Sequence, residues 1–248
     1  MCHIDEPFMV EFDGRHPARA VRVAAIGDLA PAVRKLQVGG GPVLVVIGGA
    51  SGMSAHDTRR LRPLFDDVLA PLAQKLDVTV VDGGTDVGVM RLMGRARGEG
   101  GWSFPLIGVI VDELVNCSNR LRTEAVDLEP HHTHFVLVPG SEWGEEASWL
   151  ARFATAAAGS YASATLVVNG GEIVVADVRH SIEAGRHVAV LDGSGRAADT
   201  LAAAVRGERA DASVTKLAAS EMLHLVDSRD SEDLARLLGD FLAGRAAE

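Results

Sequence analysis

The sequence predicts an α/β fold, in which a mainly parallel sheet of about seven strands is flanked by helices on both faces. Short apolar runs rich in valine and isoleucine alternate along the chain with longer segments of helical periodicity, and most of these runs end in glycine or a polar turn. The chain has 248 residues, of which 47% are hydrophobic. This length favours one globular domain over residues 1–248 rather than two small ones.

The predicted strands are short and apolar, as is typical of strands buried in a parallel sheet. They span residues 43–47, 78–81, 106–111, 135–138, 165–168, 188–191 and 223–226. Between them, residues 61–76 carry apolar side chains at the spacing of one helix face, with Pro71 expected to kink the helix near its end. Residues 231–242 show the same helical spacing. In such a sheet, ligands bind beyond the carboxyl ends of the strands.

Residues 1–41 form an N-terminal extension before the first of these units. The pattern predicts two extended stretches, residues 8–12 and 21–25, and a short helix over residues 28–36. Gly39, Gly40 and Gly41 then lead into the first core strand. Three glycines are too few to mark a separate domain, so we expect the extension to pack on the same domain as an extra layer.

Charge and composition exclude several classes of function. The net charge of −10 and the scattered arginines disfavour nucleic-acid binding, which normally needs a basic face. The apolar runs are far shorter than the roughly 20 residues of a membrane span, and the opening MCHIDEPF is unlike a secretory signal. Cys2 and Cys117 lack metal-finger spacing and suit a reducing compartment. We therefore expect a soluble, cytoplasmic protein without membrane contact.

Four junctions between a strand and a turn carry the functional signal. They are VLVVIGGASGM at residues 43–53, VVDGGTDVGVM at 80–90, LVVNGGEI at 166–173 and AVLDGSGRAAD at 189–199. Glycines allow bare backbone to approach a ligand, and a helix that follows such a turn directs free N–H groups towards an anion. In the second junction we expect Thr85 to cap the following helix. One such turn alone is equally well a connection without a ligand, but four together predict a nucleotide crevice.

None of the junctions matches the stricter phosphate-binding motifs. The first lacks the lysine and the Ser or Thr of a P-loop, and the dinucleotide pattern GxGxxG is absent after the first core strand. Kinases, ATPases and ordinary dehydrogenases are therefore disfavoured.

Five segments resemble, in the same order, the SLOG domains that form the cytoplasmic N-terminal part of melastatin-type TRP (TRPM) channels. These segments are GRHPARAVRV, VLVVIGGASGM, VVDGGTDVGVMRLMG, LEPHHTHFVLV and VAVLDGSGRAAD. Over residues 13–205 the chain is similar to the soluble prokaryotic relatives of those domains, the LSDAT group. The resemblance implies a Rossmann-like domain that recognises nucleotide-derived ligands, with ADP-ribose as the ligand of one channel branch. It does not imply a channel.

The ligand-binding residues predicted from the turns and from the resemblance lie at the strand ends. They are Gly48, Gly49, Ala50, Ser51, Gly83, Gly84, Thr85, Gly88, Asn169, Gly170, Gly171, Gly193, Ser194 and Arg196, joined by Trp143 and Arg152. A guanidinium at the start of a helix can hold a diphosphate with two hydrogen bonds, which favours Arg196. The alternative for Arg196 is a surface arginine that caps a neighbour.

The chain departs from the channel pattern at two places. Trp143 follows the HTHF strand where the channels have an aromatic residue, and its ring suits stacking on a base. The arginine that comes next in the channels falls near Leu150, and Arg152 matches it only after a shift of two residues. The second departure is the turn NGGEI, which replaces a long glycine turn of the channels and in which Glu172 would repel a phosphate. The predicted ligand is therefore either ADP-ribose or a molecule related to it.

Histidines in the HTHF segment raise the question of a metal. His131, His132 and His134 lie close in sequence to Glu129, and such side chains bind zinc or manganese. The resemblance covers this segment without implying a metal, so we expect structural hydrogen bonds and no metal site.

An enzyme is the alternative to a binding protein. The related LOG proteins cleave nucleoside monophosphates with a PGGxGTxxE motif, of which VPGSEWGEEA keeps only Pro139, Gly140 and Glu146. A carboxyl group with a raised pKa could act as a general acid or base. The candidates for this role are the carboxyl groups near the turns: Asp82, Asp86, Glu145, Glu146, Glu172 and Asp192.

The sequence predicts a ligand-binding sensor domain for ADP-ribose or another NAD-related diphosphate. We expect it to need no cofactor and to have no catalytic residue. We also expect it to signal through a homo-oligomer or a separate effector protein, and LOG-like hydrolysis remains the alternative.

Overall fold

The computed structural model describes residues 6–117 and 125–244, and Cys2 lies outside them. The strands in these ranges are short and largely apolar. They are β1 (Phe8–Val10), β2 (Ala18–Arg22), β3 (Val43–Gly48), β4 (Thr79–Asp82), β5 (Leu106–Val111), β6 (Val115–Asn116), β7 (Val126–Asp127), β8 (His134–Val138), β9 (Ser163–Val168), β10 (His187–Asp192) and β11 (Leu223–Asp227).

Nine strands form one sheet in the order β1-β2-β8-β5-β4-β3-β9-β10-β11. β1 pairs antiparallel with β2, and every other pair in this sheet is parallel. β6 and β7 make a separate two-residue parallel ladder. The central β3 has the sequence VLVVIG and pairs with β4 on one side and β9 on the other. Its nearly continuous apolar run is explained by helices that cover both faces of the sheet.

Helices connect the strands and cover the two faces of the sheet. They are α1 (Leu29–Leu36), α2 (Ala55–Leu64), α3 (Ala70–Lys75), α4 (Gly88–Glu99), α5 (Ala147–Ala158), α6 (Glu172–Glu183), α7 (Arg196–Val205), α8 (Ala212–Ala218) and α9 (Ser231–Leu242). One buried cluster joins the sheet to α1, α5, α6, α7 and α8, and another joins the opposite face to α2, α3, α4 and α9. The structure therefore has three layers and a Rossmann-like α/β fold.

Local sequence explains where helices begin and where one is interrupted. α2 begins after Ser54, whose hydroxyl accepts a hydrogen bond from the Asp57 N–H at 3.0 Å. A π-helical turn, Phe65–Leu69, separates α2 from α3. Pro71 follows this turn and would otherwise clash with the carbonyl group of Asp67 in a regular helix. The irregularity predicted from Pro71 is thus present, but it precedes the proline instead of lying near the end of the helix.

All the strands predicted from the sequence are present, with ends that differ by at most two residues. The N-terminal extension contributes two further strands, so the sheet is larger than the predicted one. β2 pairs in parallel with β8, and β1 pairs with β2 at the edge. The expectation that residues 1–41 form an extra layer was therefore wrong for these strands, because backbone hydrogen bonds extend the sheet itself. Within the described residues, no helix is both long and apolar enough to cross a membrane.

Candidate functional site

A cavity of about 420 Å³ opens at the carboxyl edge of the sheet. Its walls come from the turns that follow β3, β4 and β9, from the start of α7 and from the loop between β8 and α5. The four strands with glycine turns are neighbours in the order β4-β3-β9-β10. The chain leaves β3 towards β4 on one side and returns as β9 on the other, so the cavity lies where the strand order reverses. This is the usual ligand position in an open α/β sheet.

The structure brings together predicted residues from five separate segments in this cavity. The ones in its lining are Gly48, Ala50, Ser51, Gly83, Thr85, Trp143, Gly171 and Arg196. The remaining predicted residues are not part of its lining: Gly49, Gly84, Gly88, Arg152, Asn169, Gly170, Gly193 and Ser194. Gly193 lines a second groove of about 650 Å³ beside Arg60 and Asp192, and Arg152 is exposed on α5.

Gly49 and Gly88 hold two of the turns against each other. Gly88 has a φ of 52°, and a Cβ atom there would lie 1.8 Å from the carbonyl oxygen of Gly49. The N–H of the next residue, Val89, donates to that same oxygen at 2.8 Å. A larger residue at 88 would separate the turns, so the two glycines shape the cavity from behind its lining.

Asn169 and Ser194 join the turn after β9 to the turn after β10. Both are fully buried. The Asn169 N–H donates to the Ser194 hydroxyl, and its amide nitrogen Nδ2 donates to the Ser194 carbonyl group, each at 2.8 Å. The Asn169 Oδ1 accepts from the Gly170 N–H at 2.8 Å. These contacts engage the backbone N–H, Nδ2 and Oδ1 of Asn169. Asn169 therefore holds together the two turns that carry Gly171 and Arg196.

Arg196 provides a positive charge on the cavity wall. A Cβ atom at Gly52 would lie 2.8 Å from its Nη1, and one at Gly171 would lie 3.3 Å from its Nη2, so the guanidinium spans two turns. Its side chain makes no hydrogen bond or ion pair with any residue in the described ranges. Arg196 has a φ of 53°, in the left-handed region that residues other than glycine rarely adopt. Such strain concentrates at functional sites.

Two carboxyl groups lie in the same cavity as this cation. Glu146 comes just before α5, and its Oε2 accepts from the Gly144 N–H at 2.9 Å. Asp177 is partly buried on α6. Burial, followed by the nearby charge of Glu146, raises the pKa of Asp177 to about 7. Burial also raises the pKa of Glu146.

Asp177 was not identified from the sequence, because α6 contains no motif around it. The only available signal was its spacing. It lies three residues after the buried Val174 and next to the buried Val178, so it interrupts an apolar face.

The other candidate acids divide between the cavity and local structural contacts. Glu172 lines the cavity. Elsewhere, Asp86 pairs with Arg91, Asp192 pairs with Arg206, and Glu145 accepts from the N–H groups of Ser141 and Glu142.

The last candidate acid, Asp82, belongs to a buried ionic network beneath the turn after β4. His132 Nε2 lies 2.8 Å from Asp82 Oδ1, and His132 Nδ1 lies 2.8 Å from Glu129 Oε2. His131 Nδ1 lies 2.6 Å from Glu129 Oε1. Burial by itself would lower the pKa of His132, but Asp82 and then Glu129 raise it to about 9. His132 therefore carries a positive charge at neutral pH.

The network explains the role of the histidines and the shape of the turn. His134 lies 2.8 Å from the Thr133 hydroxyl, so the predicted structural hydrogen bonds are present. No cluster in residues 6–117 and 125–244 offers three or more side chains suited to a metal. The Gly84 N–H donates to Asp82 Oδ1 at 2.8 Å, and the Gly84 carbonyl group accepts from the Glu129 N–H at 2.9 Å.

Thr85 does not cap α4, contrary to the expectation from the sequence. It forms an antiparallel bridge with Leu128. The helix begins only at Gly88, after Val87, which has no side-chain cap. Pairing with Leu128 keeps the backbone around Thr85 extended, so the helix starts later and Thr85 is left in the cavity wall.

Comparisons with known proteins bear on the family and the fold of the chain. A model of the prokaryotic family described as SLOG in TRPM, LSDAT_prok, matches residues 41–235. The solved structure of a structural-genomics target named TM1055 is similar at a TM-score of 0.51 and 18% identity, covering 81% of this chain and 99% of that chain. The molybdenum cofactor carrier protein from Chlamydomonas reinhardtii has a TM-score of 0.48 and 16% identity, covering 80% and 99% respectively. A search of curated protein sequences found no match.

Proposed function

The chain belongs to the prokaryotic SLOG family related to TRPM channels, and from this membership we propose that its cavity binds a nucleotide-derived small molecule. The proposed ligand is ADP-ribose or another NAD-related diphosphate, and it is bound as a signal without being turned over. The ligand then acts through a homo-oligomer or a separate effector protein. No cofactor is required for this function.

The observation that carries the proposal is the guanidinium of Arg196, which lies in the cavity beside the glycine turns that follow β3 and β9. It has no carboxylate partner in the described residues, and it reaches both Gly52 and Gly171. A guanidinium binds phosphate oxygens with two parallel hydrogen bonds. α6 also begins at this wall, and the positive dipole end of α6 adds to the attraction for an anion, against the opposing charge of Glu172 in its first turn. At the start of α7 the N–H groups of Ala197 and Ala198 already donate to the carbonyl groups of Gly170 and Asn169, so Arg196 contributes through its side chain.

Trp143 supports a ligand that also carries a base. Its side chain is 45% exposed and lines the cavity at the loop before α5. An indole ring with one free face offers a stacking surface. The cavity volume of about 420 Å³ is also within the usual range for small-molecule sites.

Calorimetric titration with ADP-ribose, NAD, ADP and AMP tests this proposal. We expect Arg196→Ala to weaken binding by at least about tenfold, or about 1.4 kcal/mol, because it removes the cation at the phosphate position. The matched control is Arg179→Ala, since the Arg179 side chain is 57% exposed on α6 outside the cavity lining and its removal should leave affinity unchanged. Absence of heat with every ligand of the panel would overturn the proposal.

Hydrolysis of an N-ribosidic bond is a second candidate, favoured by one observation. Glu146 and Asp177 form an acid pair in the cavity, and a carboxyl group with a pKa near 7 suits proton transfer. Against it, the PGGxGTxxE motif is incomplete. Chromatography after long incubation with AMP and ADP-ribose separates the two candidates: unchanged nucleotide supports binding alone, whereas free base or ribose phosphate supports hydrolysis.

A further inference from the structure

The cavity carries charges of opposite sign on different walls. Arg196 lies at the start of α7, whereas Glu146 comes just before α5 and Asp177 lies on α6, whose first residue is the exposed Glu172. A ligand with negative charge along its whole length would satisfy the first wall and be repelled by the others. The arrangement therefore disfavours a negative charge at the end of the ligand that meets Glu146 and Asp177.

The acidic end of the cavity has one carboxyl group that a hydrogen bond holds in place and another that lacks a donor in the described residues. Glu146 is held in place by the Gly144 N–H, so its carboxylate is aimed by the loop and not free to swing away. Asp177 interacts electrostatically with Glu146, yet it receives no hydrogen bond from any residue that the structure describes. A partly buried carboxyl group without a protein donor keeps its acceptor oxygens available to the cavity that it lines. A donor on the ligand would bind there in place of water.

Position distinguishes this acidic end from the stacking surface. Trp143 is 45% exposed and lies at the rim, whereas Asp177 is partly buried next to the core residues Val174 and Val178. The group that meets Asp177 is thus one that enters the cavity. Hydroxyl groups of a sugar fit, because each is small and donates a hydrogen bond without adding charge.

We propose that Glu146 and Asp177 determine specificity by accepting hydrogen bonds from the hydroxyl groups of a sugar attached to the diphosphate, and by excluding a further phosphate. This inference rests on the proposed function, since Arg196 must hold the diphosphate. It narrows the ligand class to diphosphates that end in a sugar. Nucleoside triphosphates place a charged group at the same point and are rejected.

The test compares ADP-ribose with ATP, which differ in the group that follows the diphosphate. We expect the protein as it stands to bind ADP-ribose at least tenfold more tightly than ATP in calorimetric titrations. In the double variant Glu146→Gln, Asp177→Asn, this ratio should fall at least fivefold, mainly because ATP binds better once the negative charge is removed. The amides keep the size of the side chains, and thermal unfolding verifies that the variant is folded.

Glu183→Gln is the control, because Glu183 lies on α6 but its side chain is 60% exposed and outside the cavity lining. It should keep the ratio of the unmodified protein. Equal affinity for ATP and ADP-ribose, or a ratio that the double variant retains, would overturn this inference and leave the proposed function standing. Failure of both ADP-ribose and ATP to bind would overturn this inference, and the proposed function falls as well only when NAD, ADP and AMP also give no heat.

Discussion

Two pairs of carboxyl groups lie at the same edge of the molecule and have different partners. Beneath the turn after β4, Asp82 and Glu129 flank the charged His132, and the hydrogen bonds from His132 and His131 keep the pKa of Glu129 below its ordinary value despite burial. In the cavity, neither Glu146 nor Asp177 forms an ion pair with a cation among the described residues, and burial raises the pKa of both. Partners, more than burial, decide whether a carboxylate stays ionised.

The comparison separates a structural role from a binding role. In the His132 network the buried carboxyl groups of Asp82 and Glu129 share the cation of His132, and Asp82 fixes the turn at Gly84, although its Oδ2 has no hydrogen-bond partner in the described residues. The Glu146 and Asp177 pair is left mismatched next to a cavity. Mismatched polar groups destabilise a fold and are retained where a ligand uses them. Substitutions in each region should therefore change different properties.

Removing His132 should have the largest effect on stability. His132→Ala leaves Asp82 and Glu129 buried without their shared cation, and breaking a buried charged pair costs about 3–5 kcal/mol. The free energy of unfolding from urea titration measures this loss. His56→Ala serves as the control, because the His56 side chain is 77% exposed; a loss below about 1 kcal/mol for His132→Ala would show that the network contributes little.

Gly94→Ala should disturb the same network through packing. A Cβ atom at Gly94 on α4 would lie 2.0 Å from the carboxyl carbon of Glu129, which two histidines hold in place. We expect a loss of about 2 kcal/mol from the forced displacement. Gly239→Ala on α9 meets nothing within 4 Å and should instead stabilise by about 0.5–1 kcal/mol. Equal effects of the two substitutions on the urea midpoint would contradict the proposed contact.

Asp177→Asn should stabilise the protein, in a way that depends on pH. Because the folded pKa of Asp177, about 7, lies above its ordinary value of 3.8, the native state loses stability as pH rises through this window. Asparagine does not ionise, so the variant should gain about 1 kcal/mol over the unmodified protein at pH 8 and much less at pH 5. Urea titrations at the two pH values measure the difference. A gain that is the same at both would mean that Asp177 stays ionised throughout.

The sequence alone identified the strands of the core sheet because their apolar runs are short, β-branched and ended by glycine. It also located the cavity, since four glycine turns at strand ends have to meet at one edge of a parallel sheet. Gly48, Gly83, Gly171 and Arg196 belong to its lining for that reason. Local pattern was sufficient because each of these features depends on residues close in sequence.

Only the tertiary structure decided which members of the turns contact the cavity and which support it. Asn169 and Ser194 bond each other across 25 residues, and Asp82 and His132 do so across 50, so no local pattern reveals either contact. Asp177 enters the cavity only because α6 packs on α5 beside Glu146. A side chain's direction and partners depend on the packing of distant segments, and the chemistry of this site depends on those partners.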